Sequence, residues 1–342
     1  MNTNELYHYQ AILYHYDLNP TKIEAFGRIK KVYTDRGIFA LKESRMNKEQ
    51  ADNFAYHIRK LARLNYRYTV PVIPSKYGEL VLVTDASSYY LMPWMEKEPY
   101  SHRESPEQLM VEQMGIIHQL TVKTQSYTKE TIEESYQALI QRWDSKRLEL
   151  ERFADVAEQK IYMSPYELTY MTHIHQMLLL IEEAKNHAKQ WFDIVSEKEK
   201  YRTVFCHGNL SRSHVHFSKQ GDPLLFNFEK AGLDTPARDL ALFCRQSFRY
   251  SLWNEEEMVS WFQIYDNHLP LHEEEKHLLQ GYLKFPEPVR FSLEKYVNKT
   301  PDQSELDHVR RLEKRIMTMR RVKRLDAFLF PPKSTEQGVS TQ

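Results

Sequence analysis

The residues best equipped for chemistry crowd into one stretch, Val204 to Cys244, which reads VFCHGNLSRSHVHFSKQGDPLLFNFEKAGLDTPARDLALFC. It holds His207, His214 and His216, the amides Asn209 and Asn227, and the acids Glu229 and Asp239. Three imidazoles invite a zinc site, because neutral imidazole is a good ligand for that ion. His214 and His216, however, would point to opposite faces if they shared a strand. A hydrogen-bonded core His207 with two incidental imidazoles is therefore the favoured reading. The amides are poor agents of proton transfer: an amide is no base near neutral pH, and its NH₂ donates where a base must accept.

The elements that must position these residues can be read along the chain. A short helix is expected over residues 4–18, closed by Asn19-Pro20. Three strands follow by composition, Lys22 to Phe26, Ile29 to Thr34 and Ile38 to Lys42, the last two joined at Asp35-Arg36-Gly37. Alternation puts Phe39 and Leu41 on one side of the third strand and Ala40 and Lys42 on the other. The only glycine in the loop ahead of it is Gly27, so no Gly-rich phosphate cradle can be read there. Residues 47–64 form a helix with Phe54, Ile58, Leu61 and Leu64 along one face. Its acids Glu49 and Asp52 suit the helix start, and either is also a candidate partner for Lys42.

Two further strands are expected at Val70 to Ile73 and Glu79 to Thr84, turned by Lys76-Tyr77-Gly78. Tyr89 to Met95 then forms a strand and a connector in which Pro93 removes a backbone donor. Beyond a polar link at 97–105 the pattern turns helical, over 106–123, 131–159 and 165–192. Trp143, Leu148, Phe153 and the run Met177-Leu178-Leu179-Leu180-Ile181 are core candidates. Short strands are expected at Val215 to Ser218 and Leu224 to Asn227, and helices again from Trp253. The basic run Met317 to Leu325 reads as a solvated helix face, and residues 331–342 as a disordered tail. No repeat of solenoid period is present.

Composition narrows the class. The 342 residues are 41% hydrophobic and 13% aromatic, ample for a large core. Lys plus Arg and Asp plus Glu are both 47, so charge gives no pointer to nucleic acid, and none is expected as a partner. A net charge near zero favours self-association. No apolar run reaches the roughly 20 residues of a membrane span, and MNTNELYHYQ lacks the basic and apolar regions of a secretory signal. Cys206 and Cys244 read as small core residues rather than a disulfide framework, and the 22 tyrosines as packing and half-buried surface.

The stretch 204–244 resembles the catalytic core of the aminoglycoside phosphotransferase/choline kinase-like branch of the protein-kinase-like superfamily. His207-Gly208, Leu210, Phe228-Glu229, Pro236, Asp239, Leu240 and Ala241 stand where that pattern places them. The resemblance implies an α+β fold of two lobes. The small lobe, with an antiparallel sheet, would span 1–95, and the larger, mostly helical lobe 96–330. Lys42 would mark the strand that faces nucleotide phosphates. The chemistry-bearing positions depart from the pattern: the catalytic Asp is Asn209, the metal-binding Asn is His214, and the second metal-binding Asp is Asn227. Phosphoryl transfer needs a carboxylate to orient the nucleophile and hard oxygen ligands for Mg²⁺. Two amides and an imidazole supply neither.

The resemblance thus implies no Mg²⁺ cofactor and at most weak, vestigial ATP binding at Lys42, Asn227 and Glu229, with Asp239 in a structural role. The Gly-poor loop before Lys42 and the run Tyr90-Leu91-Met92-Pro93-Trp94 look most like the spore-coat-associated kinase-like proteins of endospore-forming bacteria. That likeness implies an assembly component partnered with other coat proteins. The alternative is a small-molecule phosphotransferase with substituted chemistry, in which Glu229 or another acid takes over the metal.

Overall fold

The computed structural model describes residues 3–96, 105–198, 200–218, 220–248, 254–300 and 302–330, with side chains from Tyr7 onward. The polar link at 97–104, the helical start at Trp253 and the tail 331–342 lie outside the described residues. The chain falls into two compact units: Met1–Thr121 with Val204–Asp234, and Val122–Thr203 with Thr235–Gln342. The motif-bearing segment is compact with the N-terminal strands.

In the first unit, α1 (Thr3–Tyr14) precedes an antiparallel ladder of β1 (Pro20–Phe26), β2 (Ile29–Thr34) and β3 (Gly37–Ser44). The β2–β3 turn uses Gly37 at φ +126°, a conformation open to glycine. Helix α2 (Lys48–Arg63) starts with a capping box, Asn47 and Gln50 each accepting from the other's backbone. Its buried face is Ala51, Phe54, His57 and Leu61; Ile58 is half-buried, and His57 takes the inner place by stacking on Phe205 at 4.4 Å. Short β4 (Leu82–Val83) and β5 (Ser88–Pro93) complete the sheet in the order β1-β2-β3-β5-β4. Leu13, Val32, Leu41 and Leu91, all fully buried, form the core between α1 and the sheet.

One expected strand is absent. Val70 to Ile73 makes only isolated bridges, at Thr69 to Leu225 and Ile73 to Leu91. Pro71 and Pro74 interrupt the segment, and a proline has no N–H to give a ladder. Of the strand expected at 79–84, only Leu82–Val83 pairs. Pro93 is tolerated because it ends β5 opposite Phe39, where Trp94 N–H donates to Ile38 at 2.9 Å.

Helix α3 (Pro106–Thr121) leads to β6 (Lys123–Ser126), and α4 (Lys129–Glu158) and α5 (Pro165–Ser196) run long. Strand β7 (Lys200–Cys206) pairs first with β6 and then with β10 (Gly232–Asp234), after the hairpin β8 (Val215–Phe217) and β9 (Pro223–Leu225). The helices α6 (Pro236–Ser247), α7 (Glu255–Asp266), α8 (Glu273–Lys284), α9 (Glu287–Val297) and α10 (Glu305–Leu329) follow. Of the core candidates, Trp143, Met177, Leu180 and Ile181 are buried; Leu148 and Leu179 are exposed, and Phe153 is half-buried at the edge of an aromatic cluster. Gly281 lets α8 approach α5, since a Cβ there would lie 3.1 Å from the carbonyl of Ala184 and 3.3 Å from the Trp143 ring. No described helix is long and apolar enough to cross a membrane.

The second unit contains a buried charge cluster with a pH consequence. Lys284, 7% exposed, pairs with Asp326 at 2.8 Å and Glu183 at 3.3 Å, and meets His187 Nε2 at 3.1 Å. His187 Nδ1 lies 3.4 Å from His277 Nδ1. Burial, then the Lys284 charge, pushes His187 down to about 4, against the attraction of Asp326 and Glu183. The folded state therefore holds His187 neutral while the unfolded chain takes up a proton near pH 6.5. Stability is unaffected above that pH and falls as pH drops from about 6.5 toward 4, by about 1–2 kcal/mol for a half-buried ring. His187→Gln should flatten this part of a urea-midpoint profile; an equally steep profile in the variant would contradict the assignment.

Candidate functional site

The motif residues meet inside the first unit. Leaving β7, the chain turns at His207-Gly208. Gly208 has φ +74°, and a Cβ there would stand 2.2 Å from the carbonyl oxygen of Lys230. No other residue fits without moving that backbone. His207 is 2% exposed; Nε2 donates to the Phe226 carbonyl at 3.1 Å, and Nδ1 accepts from the Asn209 N–H at 3.3 Å. Both ring nitrogens are used in these bonds, as a satisfied core histidine requires and a zinc ligand could not combine. Arg212 clamps the same loop to α3 through Glu107, a fully buried carboxylate reached by Nε and by Nη2, the latter at 2.7 Å.

His214 lies not on a strand but in the one-turn 3₁₀ segment Arg212–His214, while His216 is on β8. His214 is no incidental imidazole. Its Nδ1–H donates to the Asn209 carbonyl at 2.6 Å, and its Nε2 accepts from Asn227 Nδ2 at 2.8 Å. Burial, the largest influence, and the nearby Lys42 charge hold its pKa below the usual value despite the Asn209 bond, so the ring is neutral at pH 7. Asn227 was expected to end a strand. It instead has left-handed backbone, φ 68° and ψ 46°, and starts the 3₁₀ turn Phe228–Lys230. Asn is among the few side chains that adopt this region readily.

Asn227 Oδ1 accepts from Lys42 Nζ, and Lys42 reaches Glu229 Oε1 at 2.6 Å. Glu229 also accepts from Tyr90 OH at 2.9 Å on Oε1 and from Ser44 Oγ at 3.0 Å on Oε2. Lys42 thus pairs with Glu229, not with Glu49 or Asp52; Asp52 is on the surface, bonded to Lys48. Burial opposes the Glu229 charge, but the Lys42, Tyr90 and Ser44 bonds outweigh it and hold the carboxyl below its ordinary range. Burial and the facing Glu229 charge push the Tyr90 phenol well up, so it stays a donor. The network runs Asn209 carbonyl, His214, Asn227, Lys42, Glu229, each link a donor facing an acceptor.

This network tests the fit of Mg²⁺. The ion wants hard oxygen ligands and usually one or two carboxylates. Here the Asn227 oxygen is taken by Lys42, its amide nitrogen faces His214, and both Glu229 oxygens already accept bonds. Lys42 and Glu229 cancel in charge. The residues do not fit the ion, and no base stands at Asn209. Asp239 belongs to the other unit and is 1% exposed in the first turn of α6.

Sequence reasoning missed Ser44 and Tyr90. Both carried a signal: Ser44 is two residues from Lys42 on the same strand face, and Tyr90 is its direct cross-strand partner.

A lysine-bearing antiparallel sheet, a His-Gly loop and an Asn-Phe-Glu turn, with a mostly helical C-terminal region, define the two-lobed protein-kinase-like class. The chain belongs to the phosphotransferase enzyme family, APH, whose family model matches residues 29–274. Among solved structures it is similar to an aminoglycoside phosphotransferase from Alicyclobacillus acidocaldarius, at 15% identity and TM-score 0.72 over 94% of each chain. It is also similar to the AMP-bound spectinomycin phosphotransferase APH(9)-Ia, at 13% identity and TM-score 0.61, covering 98% of this chain and 100% of that one. The amicoumacin kinase hAmiN gives 12% identity and TM-score 0.57 over 96% and 94%. At these identities the likeness is one of fold. No curated protein matches.

Proposed function

We propose that the chain is a kinase-fold protein that transfers no phosphoryl group and acts by binding other proteins, as a structural or assembly component of the spore coat of an endospore-forming bacterium. The observation that carries the first part is the state of Glu229. It stands two residues from the replaced position Asn227, and Lys42, Tyr90 and Ser44 already occupy both its oxygens. An acid so engaged cannot also hold Mg²⁺, and the amides at Asn209 and Asn227 offer no base. The coat assignment rests on the Gly-poor loop before Lys42 and the tyrosine-rich run at 90–94. A retained scaffold with its polar interior closed on itself suits a role in binding.

The test has two arms. Purified protein is assayed for ATP-dependent transfer to aminoglycosides, choline, sugars and protein hydroxyls; no turnover is expected, and turnover abolished by Lys42→Ala would overturn the proposal. A fluorescent fusion in sporulating cells should collect around the forespore, and a diffuse signal throughout sporulation would remove the coat role. The second reading, a small-molecule phosphotransferase with non-standard residues, is favoured by the family's own description as phosphotransferase enzymes. It requires Glu229 to leave Lys42 when nucleotide arrives.

A further inference from the structure

The helical unit holds a pocket of about 250 Å³ that shares no residue with the site above. One wall is a single stripe of α6: Arg238, Ala241, Leu242 and Arg245, at the spacing i, i+3, i+4, i+7. Ala241 between the two arginines leaves the space open. The facing wall is α4, with Arg142 and Lys146 one turn apart around Trp143. The one acid among the lining residues is Glu287, and it is already engaged, by Lys146 at 2.7 Å and by Arg290 at 3.1 Å. Four cations therefore face one neutralised carboxylate.

Arg245 sharpens the imbalance. It donates through Nη2 to the Tyr282 carbonyl, while its Nε, shut off from solvent, has no acceptor. Burial pushes its pKa down, against the pull of Glu287, so the site is short of negative charge where a guanidinium must stay ionised. Arg142 makes no ion pair or hydrogen bond with any described residue. Aromatic surface completes the pocket: Tyr282 stands edge-on to Trp143 at 6.1 Å, and Phe291 is 45% exposed.

We propose that this pocket binds a small phosphate monoester, its dianion held by Arg142, Arg238, Arg245 and Lys146 and its body lying against Phe291 and Tyr282. Forked guanidinium groups match phosphate oxygens in pairs, and a lining with four cations and one acid suits a doubly charged group better than a single carboxylate. The aromatic edge offers a flat body a stacking surface.

The test is calorimetry on the full chain at low salt with phenyl phosphate, inorganic phosphate and benzoate. Phenyl phosphate is expected to bind one per chain with a dissociation constant below about 1 mM, and benzoate at least about tenfold more weakly. Arg142→Ala and Arg238→Ala, both on exposed side chains, should each weaken phenyl phosphate about tenfold, and Arg142→Ala should do so without lowering the melting temperature of the unliganded protein. They serve as the main variants because Arg245→Ala opens a hole in a packed wall. Absence of saturable binding, or affinity unchanged in both variants, would overturn the site. Benzoate binding as tightly as phenyl phosphate would overturn the dianion assignment. Inorganic phosphate binding as tightly as phenyl phosphate would overturn the role of the aromatic surface.

Discussion

Glu229→Ala is expected to cost the first unit about 3 kcal/mol, the low end of what removing one partner of a buried ion pair costs. The Lys42 and Glu229 side chains are only 15% and 22% exposed. Loss of the carboxylate leaves the Lys42 ammonium with the neutral Asn227 oxygen in place of an anion, and leaves Tyr90 OH and Ser44 Oγ without the acceptor they share. Unsatisfied buried donors add their own desolvation cost. Glu229→Gln keeps an oxygen for one of these donors but no charge, and should lie between wild type and alanine. The pH sense follows from the lowered carboxyl pKa. This contribution is complete above the unfolded value near 4.3 and is lost as pH falls through the lower folded value. Denaturant unfolding of the three proteins checks the order. A loss below about 0.5 kcal/mol in Glu229→Ala, the range of ordinary surface changes, would show that the acid is not structurally engaged.

A second large loss, about 3–5 kcal/mol, is expected for Glu275→Ala in the helical unit. Glu275 is fully buried and takes two bonds from Arg202, at 2.7 Å from Nε and 2.5 Å from Nη2. It also closes the start of α8 by accepting from the His272 N–H at 2.8 Å. Arg202 is itself only 10% exposed, and Nη2 also donates to the Pro270 carbonyl at 2.5 Å. One truncation thus leaves a buried guanidinium with a single carbonyl partner and opens a helix cap, worth about 1 kcal/mol alone. Glu275→Gln should recover part of the cap but not the ion pair. Equal midpoints for Glu275→Gln and wild type would mean that the charge contributes nothing.

Local signals located most of the fold. Period-two alternation and the Asp35-Arg36-Gly37 turn placed β2 and β3, and three-and-four spacing of apolar residues placed α2, α4 and α5. Helical periodicity identifies a stripe but not its edges, which is why Leu148 and Leu179 were expected inside and are exposed. The segment Val70 to Ile73 has the composition of a strand, but its prolines limit it to single bridges.

The site was half legible. The family resemblance grouped Lys42, His207, Asn209, His214, Asn227 and Glu229. How they bond was not readable, because Lys42 and Glu229 are brought together by folding rather than by any local pattern. The same holds for Asn227, whose left-handed backbone removes it from the strand its neighbours suggested. His214 shows the limit most clearly: as a residue type it suggested an incidental imidazole, and its position makes it the link between two amides.

We propose that the bonded Lys42–Glu229 network leaves no place for a metal–nucleotide complex. Calorimetric titration of ATP, in EDTA and again in excess Mg²⁺, tests it most directly. Binding no tighter than about 1 mM, and the same in both conditions, is the predicted result. Micromolar binding that requires Mg²⁺ would contradict the account, because it would mean that Glu229 is released from Lys42 and an ion clamp is rebuilt around it.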